Sequence, residues 1–372
     1  AKTAQQLDAG ETSAAMETLK PALEARPDDP NLLALRGIAN LSNVGPDAAR
    51  ADIDRALSLA PNNPLVYFAR GLINQRTDRP DDAIADYSKA IELDPTFARA
   101  YYQRSILMGY PKSDPAAQRR DLDRTIELEP AYVPARIDRA WSLYYASQEA
   151  QALPDLEQVL SADASNSAAL RLRALIFTRQ GKLDEARRDF DAAVAAAPDD
   201  GSLRRDRLEF LVRQHDFEPA LADADKLVAL DESDPQRYEL RGFVLHALGR
   251  DDQALQAFEK ALLIGGNETW AARYGRGLAL LGLKRTQDAL NELLAVQDHR
   301  DDTSPLSDLF FGTSAMPALD LARAYEALGQ NNERMAALDA ALQQDQSFVA
   351  FFERGRARAA AGDRNGARED FQ

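Results

Sequence analysis

Residues 63–95 read NPLVYFARGLINQRTDRPDDAIADYSKAIELDP, and they contain one full unit of the pattern that decides this fold. Two stretches of the segment carry apolar residues at intervals of three and four, and the polar turn Thr77–Pro80 separates them. This spacing predicts an amphipathic helix on each side of the turn. Pro95 has no backbone N–H to continue the second helix, so the chain must begin a new element after it.

The same unit recurs along the chain with a period near 34 residues. An Arg followed in most units by a small residue marks each copy, and successive arginines are separated by 34, 34, 35, 34, 34, 34, 35 and 78 residues. These arginines are Arg36, Arg70, Arg104, Arg139, Arg173, Arg207, Arg241, Arg276 and Arg354. A fixed period of this length is typical of stacked helix–turn–helix units, so the sequence predicts an all-α protein that acts through a surface.

The units resemble the tetratricopeptide repeat family over nearly the whole chain. The resemblance rests on a small residue where two helices cross, a large apolar residue in the second helix, and a proline at the end of the unit. The small positions are Gly37, Gly71, Ser105, Ala140, Ala174, Gly242, Gly277, Ala322 and Gly355; the large residues include Tyr87, Phe190, Phe258 and Phe371; the prolines are Pro27, Pro61, Pro95, Pro130 and Pro198. The resemblance implies a right-handed α-solenoid superhelix of about ten stacked repeats.

The repeat boundaries follow from the period. We predict one solenoid over residues 1–372, with repeats at 1–27 (partial), 28–61, 62–95, 96–130, 131–164, 165–198, 199–232, 233–266, 267–300, 313–346 and 347–372 (partial), and an insertion at 301–317. Leu208 departs from the pattern because it occupies a position where a small residue is expected. Both ends of the sequence fall inside a unit, so we expect the natural protein to extend beyond them.

Composition narrows the classes of function. The chain has 60 acidic residues against 45 Lys and Arg, for a net charge of −15, which disfavours nucleic-acid binding because that activity needs a basic face. The sequence contains no cysteine, so disulfides and thiolate chemistry are excluded, and both a cytoplasmic and an exported or periplasmic location remain open. Frequent Ala, Arg and Asp suggest a high-GC bacterial source. We predict no cofactor and no metal site, since His215, His246 and His299 are not at metal-ligand spacing.

An acidic residue follows most of the repeated arginines by sixteen or seventeen positions. Two antiparallel helices joined by a short turn bring such positions level, so we predict one structural ion pair in each hairpin. The predicted pairs are Arg36 with Asp52, Arg70 with Asp86, Arg104 with Asp121, Arg139 with Asp155, Arg173 with Asp189, Arg207 with Asp223, Arg276 with Glu292, and Arg354 with Asp370. Arg241 lacks this acid because Ala257 occupies its place, so it must find another partner.

The resemblance also implies where a partner binds, because the first helices of tetratricopeptide repeats line a concave groove. Counting from the crossing position places aromatic residues and arginines there, and these residue types are enriched at binding hot spots. The predicted groove residues are Phe68, Arg76, Arg99, Tyr102, Tyr110, Trp141, Tyr144, Tyr145, Arg171, Arg179, Arg205, Arg213 and His246. The alternative is that some of these aromatic side chains pack between neighbouring helices.

The predicted function is a protein–protein interaction scaffold that holds a protein or peptide segment with apolar anchors and acidic residues. A carboxylate clamp of the kind found in some relatives is disfavoured, since the Asn that usually precedes the Arg is absent at Leu35, Ala69, Gln103, Asp138, Leu172 and Asp206. The inserted segment Leu306–Gly312 is a second candidate contact. We find no support for catalysis within these residues. Two alternatives stay open: a recognition arm of a larger enzyme, and a self-assembling oligomer.

Overall fold

The computed structural model describes residues 3, 6, 7, 10–109, 113–266, 269–296, 309 and 316–372. Within these ranges the elements are helices, and no strand occurs. The chain forms two compact units, residues 1–176 and residues 177–372. Tyr110, His299 and most of the inserted segment lie outside the described residues.

Residues 10–109 and 113–176 of the first unit contain the starts of ten helices. They are α1 (Thr12–Ala25), α2 (Pro30–Asn43), α3 (Pro46–Leu59), α4 (Pro64–Arg76), α5 (Pro80–Leu93), α6 (Ala98–Gly109), α7 (Pro115–Leu128), α8 (Val133–Tyr145), α9 (Glu149–Ala162) and α10 (Ser167–Arg179). Helices α2 and α3, α4 and α5, α6 and α7, and α8 and α9 pack as hairpins, and each hairpin contacts the next.

The described part of the second unit is built in the same way. Its helices are α11 (Leu183–Ala196), α12 (Gly201–Arg213), α13 (Phe217–Leu230), α14 (Pro235–Ala247), α15 (Asp251–Gly265), α16 (Trp270–Gly282), α17 (Thr286–Ala295), α18 (Met316–Ala327), α19 (Asn331–Gln344), α20 (Phe348–Ala360) and α21 (Arg364–Asp370). Five hairpins, from α12–α13 to α20–α21, follow one another in contact. The predicted all-α stack of helical hairpins is therefore confirmed within each unit, whereas one continuous solenoid over residues 1–372 stays a prediction.

Local sequence explains where the helices begin. Asp29 precedes α2, and its carboxylate accepts hydrogen bonds from the backbone N–H groups of Asn31 and Leu32, at 3.0 and 3.2 Å. Pro30 then fills the first helical position, where its missing N–H has no intrahelical partner to lose. Asn63 and Pro64 start α4 in the same way. These two hairpins are thus each set off from the previous one by a cap and a proline.

The crossing of two helices depends on a small residue opposite a large one. A Cβ atom added to Gly71 in α4 would lie 2.5 Å from the ring of Tyr87, which is fully buried on α5. Phe258 of α15 is enclosed on two sides, since added Cβ atoms on Gly242 and on Gly275 would both collide with its ring. The small positions identified in the sequence are therefore sites of close helix approach.

Leu208 departs from this pattern, and the structure supplies the reason. It occupies the small position of α12, while the position on α13 that elsewhere holds a large apolar residue holds Ala224. Both side chains are fully buried, at 0% exposure. The hairpin has exchanged the large and small residues between its two helices, which preserves the volume of its core.

Candidate functional site

The predicted ion pairs occur inside the hairpins. Seven of the eight arginines contact their predicted acid, as the pairs Arg36–Asp52, Arg70–Asp86, Arg104–Asp121, Arg139–Asp155, Arg207–Asp223, Arg276–Glu292 and Arg354–Asp370. Arg139 is representative, because its Nε and Nη2 donate to the two oxygens of Asp155 at 2.7 and 2.8 Å. Arg173 and Asp189 belong to different units, and that pair stays a prediction.

Several of these arginines have a second carboxylate partner that sequence reasoning missed. Arg139 Nη1 also donates to Asp123 on the preceding hairpin at 2.8 Å, and Arg207 Nη1 donates to Asp191 at 3.0 Å. Arg241, which lacks an acid in its own hairpin, donates to Asp225 at 2.6 Å. The signal was present in the sequence, since each of these acids stands two residues after the intrahairpin acidic position. These arginines therefore join consecutive hairpins within each compact unit and stabilise the helical stack.

The first unit contains a groove that two of the predicted partner-binding residues line, and we call it the apolar groove. It has a volume of 810 Å³ and is lined by residues from α2, α4, α6 and the start of α8. Its lining residues are Leu7, Leu35, Ile38, Leu65, Phe68, Leu72, Phe97, Arg99, Gln103, Glu129, Tyr132 and Pro134. Phe68 and Arg99 were predicted here, and Phe68 is 5% exposed, so it forms the floor.

The polar residues of the groove lie together on the α6 and α8 side. Burial lowers the pKa of the Arg99 guanidinium, and the neighbouring Tyr132 and Glu129 partly oppose that effect. Tyr102 lies at the same end, where its ring meets that of Tyr132 edge-on at 5.0 Å. Its hydroxyl donates to Asp138 Oδ2 at 3.0 Å. The groove thus has one apolar end and one end with hydrogen-bonding and charged groups.

Three predicted aromatic residues of α8 form a second cluster, which we call the Trp141 cluster. The Trp141 and Tyr145 rings stack with centroids 5.6 Å apart and planes inclined by 24°, and Tyr144 meets both rings edge-on at 5.7 Å. The Arg171 guanidinium carbon lies 5.7 Å from the centroid of the Trp141 ring. Tyr144 is only 9% exposed and packs in the core, whereas Tyr145 is 75% exposed. Tyr145 is therefore the ring through which this cluster is most exposed to solvent.

The other predicted residues are not among those that line the apolar groove. Arg76 is exposed at the last turn of α4 in the first unit. In the second unit Arg179 and Arg213 are exposed at helix ends, and Arg205 Nε lies 3.4 Å from Glu209. His246 Nδ1 lies 2.6 Å from Asp251 Oδ1. Arg205 also lines a small pocket with Asp234 and Arg237, and a common binding site for the predicted arginines of the second unit stays a prediction.

The second unit instead has buried polar contacts between first helices, which sequence reasoning missed. The Tyr274 hydroxyl on α16 donates to Asp320 on α18, and Arg323 also donates to that carboxylate at 2.8 Å. Glu239 on α14 is 4% exposed and accepts a hydrogen bond from the backbone N–H of Ala272. Burial raises the pKa of Glu239 to about 7 and raises that of Asp320.

Among the described residues, no helix combines the length and apolar character needed to cross a lipid bilayer.

Comparison with known families places repeats along the chain. A family model described as "Tetratricopeptide repeat" matches residues 6–64 and 137–201, one described as "TPR repeat" matches residues 79–107, and a further tetratricopeptide repeat model matches residues 235–264. Tetratricopeptide repeat protein 36 of Bos taurus is 32% identical over 108 residues. That alignment covers 28% of this chain, and the chain spans 57% of the length of that relative.

Two solved structures illustrate the structural similarities. A tetratricopeptide repeat protein from Parabacteroides merdae is 20% identical, with a TM-score of 0.48 over 67% of this chain and 97% of the other. The Cut9–Hcn1 hetero-tetramer of the APC/C contains a chain that is 12% identical, with a TM-score of 0.49 over 99% of this chain and 90% of the other.

Proposed function

We propose that this chain, which belongs to the tetratricopeptide repeat family, is a scaffold that binds a segment of a partner protein along the first helices of its N-terminal unit. Tetratricopeptide repeat proteins generally mediate protein–protein interactions, and they are typically non-enzymatic scaffolds. The partner segment has apolar anchor residues and acidic residues.

The observation that carries the proposal is the pairing of the apolar groove with the Trp141 cluster on the first helices of the same unit. The groove volume of 810 Å³ lies within the range of about 300–1,000 Å³ that is usual for ligand sites. Tyr145 is largely exposed to water, and its ring stacks on that of Trp141. Tyrosine and tryptophan side chains supply a large contact area at a low cost in side-chain entropy, which suits a contact with a partner.

The experiment compares two variants, one at a tyrosine and one at a leucine, whose side chains are exposed to a similar extent. Tyr145→Ser changes a residue that is 75% exposed in the Trp141 cluster, and Leu263→Ser changes one that is 78% exposed on the second helix α15. Both proteins are immobilised beside the unchanged chain and incubated with lysate from the source organism. Quantitative mass spectrometry then measures each captured protein.

We expect Tyr145→Ser to reduce capture of a defined set of proteins at least fivefold and Leu263→Ser to leave that set unchanged. A second variant, Arg99→Glu, reverses a charge that lines the apolar groove of the same unit and should weaken capture of the same proteins. If both of these variants, each on a first helix of the N-terminal unit, still capture every protein that the unchanged chain captures, the proposed binding surface is wrong. Far-UV circular dichroism confirms that each variant keeps its helices.

A further inference from the structure

The two ends of the apolar groove differ in chemistry. Leu35 and Ile38 of α2 face Leu65, Phe68 and Leu72 of α4 at one end, and none of these side chains can donate or accept a hydrogen bond. The polar lining residues belong to α6 and to the segment that leads into α8. A ligand must therefore bring an apolar surface to the first end and polar groups to the second.

This division restricts the backbone of a protein ligand. Buried N–H and C=O groups need hydrogen-bond partners, and leaving one unpaired costs about 1–3 kcal/mol. The backbone of α2 and α4 has its hydrogen bonds within the helices, and the lining side chains of the apolar end offer none. An extended segment in this end would leave several groups unpaired, whereas a helix satisfies its own backbone.

The charge on the groove wall restricts the side chains of the ligand. Arg99 and Glu129 both line the groove, but Arg99 is partly buried while Glu129 is exposed, so the positive group lies deeper in the lining than the negative one. Gln103 adds an amide that can donate a hydrogen bond beside it. A carboxylate on the ligand would form a charge-assisted contact there, since guanidinium groups match carboxylates in geometry as well as in charge.

We propose that the apolar groove binds an amphipathic helix of a partner protein, with apolar residues at positions i, i+3, i+4 and i+7 in the leucine-lined end and a carboxylate beside Arg99. This inference rests on the proposed function and specifies the partner for that surface. Helix-in-groove recognition uses this spacing because it places the side chains on one face.

The test is a selection with a library of random 16-residue peptides displayed on phage, using the full chain as the target. Enriched peptides are synthesised, and their affinity and circular dichroism are measured with and without the protein. We expect apolar residues at the helical spacing, an acidic residue about one turn away, and a gain of helicity on binding. Alternating apolar residues, a proline-rich pattern, or no enrichment at all would overturn the proposal.

Variants of the groove then locate the binding site. Leu72→Glu should weaken binding of the selected peptide at least tenfold. Leu59→Glu changes an exposed residue at the end of α3 and should leave that affinity unchanged. Arg99→Glu should also weaken it tenfold, and replacing the acidic residue of the peptide by Lys should restore affinity to that variant alone. If the affinity of the peptide is the same for both groove variants as for the unchanged chain, the proposal is wrong.

The outcomes separate the two levels of the argument. Peptides that bind in an extended form, yet lose affinity on Tyr145→Ser, would refute the helical partner and retain the scaffold function. If neither peptides nor cellular proteins depend on the first helices, then the proposed function fails as well.

Discussion

The Tyr102 hydroxyl donates a hydrogen bond to Asp138 across 3.0 Å, and it joins the first helices of two consecutive hairpins. Tyr274 and Asp320 make the same contact in the second unit. Each tyrosine stands two residues before the repeated arginine position, and each aspartate stands one residue before that position in the next repeat. Burial raises the pKa of both carboxyl groups, so these contacts are partly removed from water.

Tyr102→Phe should destabilise the first unit. The substitution keeps the ring but removes the donor, which leaves the partly buried Asp138 carboxylate without that hydrogen bond. We expect a loss of about 1–2 kcal/mol in the free energy of unfolding. Chemical denaturation of Tyr102→Phe, Asp138→Leu and the double variant measures the coupling between the two residues. Additive effects of the two single changes would show that the hydrogen bond contributes nothing.

Arg104→Met should cost more stability than Arg104→Met combined with Asp121→Leu. Arg104 donates to both oxygens of Asp121 at 2.8 Å, and Asp121 is 6% exposed. Removing only the arginine leaves a buried carboxylate without its cation, which we expect to cost about 2–3 kcal/mol. Thermal melting of the two variants beside the unchanged chain tests this order. Equal melting temperatures for the single and double variants would contradict it.

The exchange of Leu208 and Ala224 predicts a compensating pair of substitutions. Leu208→Ala alone creates a cavity at a fully buried position and should cost about 2–5 kcal/mol. Ala224→Leu alone overpacks the same core and should cost about 1–3 kcal/mol. Together they recreate the usual arrangement, in which Ala140 stands opposite Leu156. Denaturation should show that the double variant loses less stability than the sum of the single changes; a simple sum would show that the residues do not share a core.

Glu239→Gln should alter how the stability of the second unit depends on pH. Burial raises the pKa of Glu239 from 4.5 to about 7, so the folded state holds its proton more tightly than the unfolded state. The stability that this group contributes is therefore full below about pH 4.5 and is lost as the pH rises towards 7. Glutamine stays neutral and its carbonyl can still accept from Ala272. We expect the free energy of unfolding of Glu239→Gln, measured relative to that of the unchanged protein, to rise by about 2–3 kcal/mol as the pH increases from 4.5 to 8.

Thermal unfolding at pH 5, 6, 7 and 8 measures that difference directly. Comparing the two proteins at each pH removes the contributions of the other titrating groups, including Asp320, whose pKa burial also raises. Asp252→Asn, which changes an exposed carboxylate on α15, serves as the control and should track the unchanged protein. A constant difference between Glu239→Gln and the unchanged protein over this range would show that Glu239 does not titrate as stated.

The helices and their pairing could be read from the sequence because each signal is local. Pro30 and Asp29 lie beside the helix that they start, and Gly71 faces Tyr87 within one hairpin. The arginines and their acids also lie within single hairpins, so a fixed separation along the chain was enough to pair them. Of the exceptions, Arg241 required knowledge of the preceding hairpin before its partner Asp225 could be identified.

The candidate site was predicted less completely. Phe68 and Arg99 were placed on the correct helices, but Leu35 and Ile38, which complete the apolar groove with them, were not selected. Aromatic residues and arginines are residue types enriched at binding sites, so they can be selected from a sequence. A leucine that lines a groove cannot be distinguished in the sequence from a leucine in the core. Tyr144 and Tyr145 are adjacent in the chain, yet one is buried and the other is exposed.

The sequence by itself determined the repeat period, the helical hairpins and the ion pairs within them, because those features depend on residues of one short segment. Only the tertiary structure decided which first-helix side chains border a groove, which aromatic residue remains in solvent, and how Tyr102 reaches Asp138. These depend on the offset between neighbouring hairpins, and that offset results from the packing of many side chains, each of which contributes only a small part of the energy.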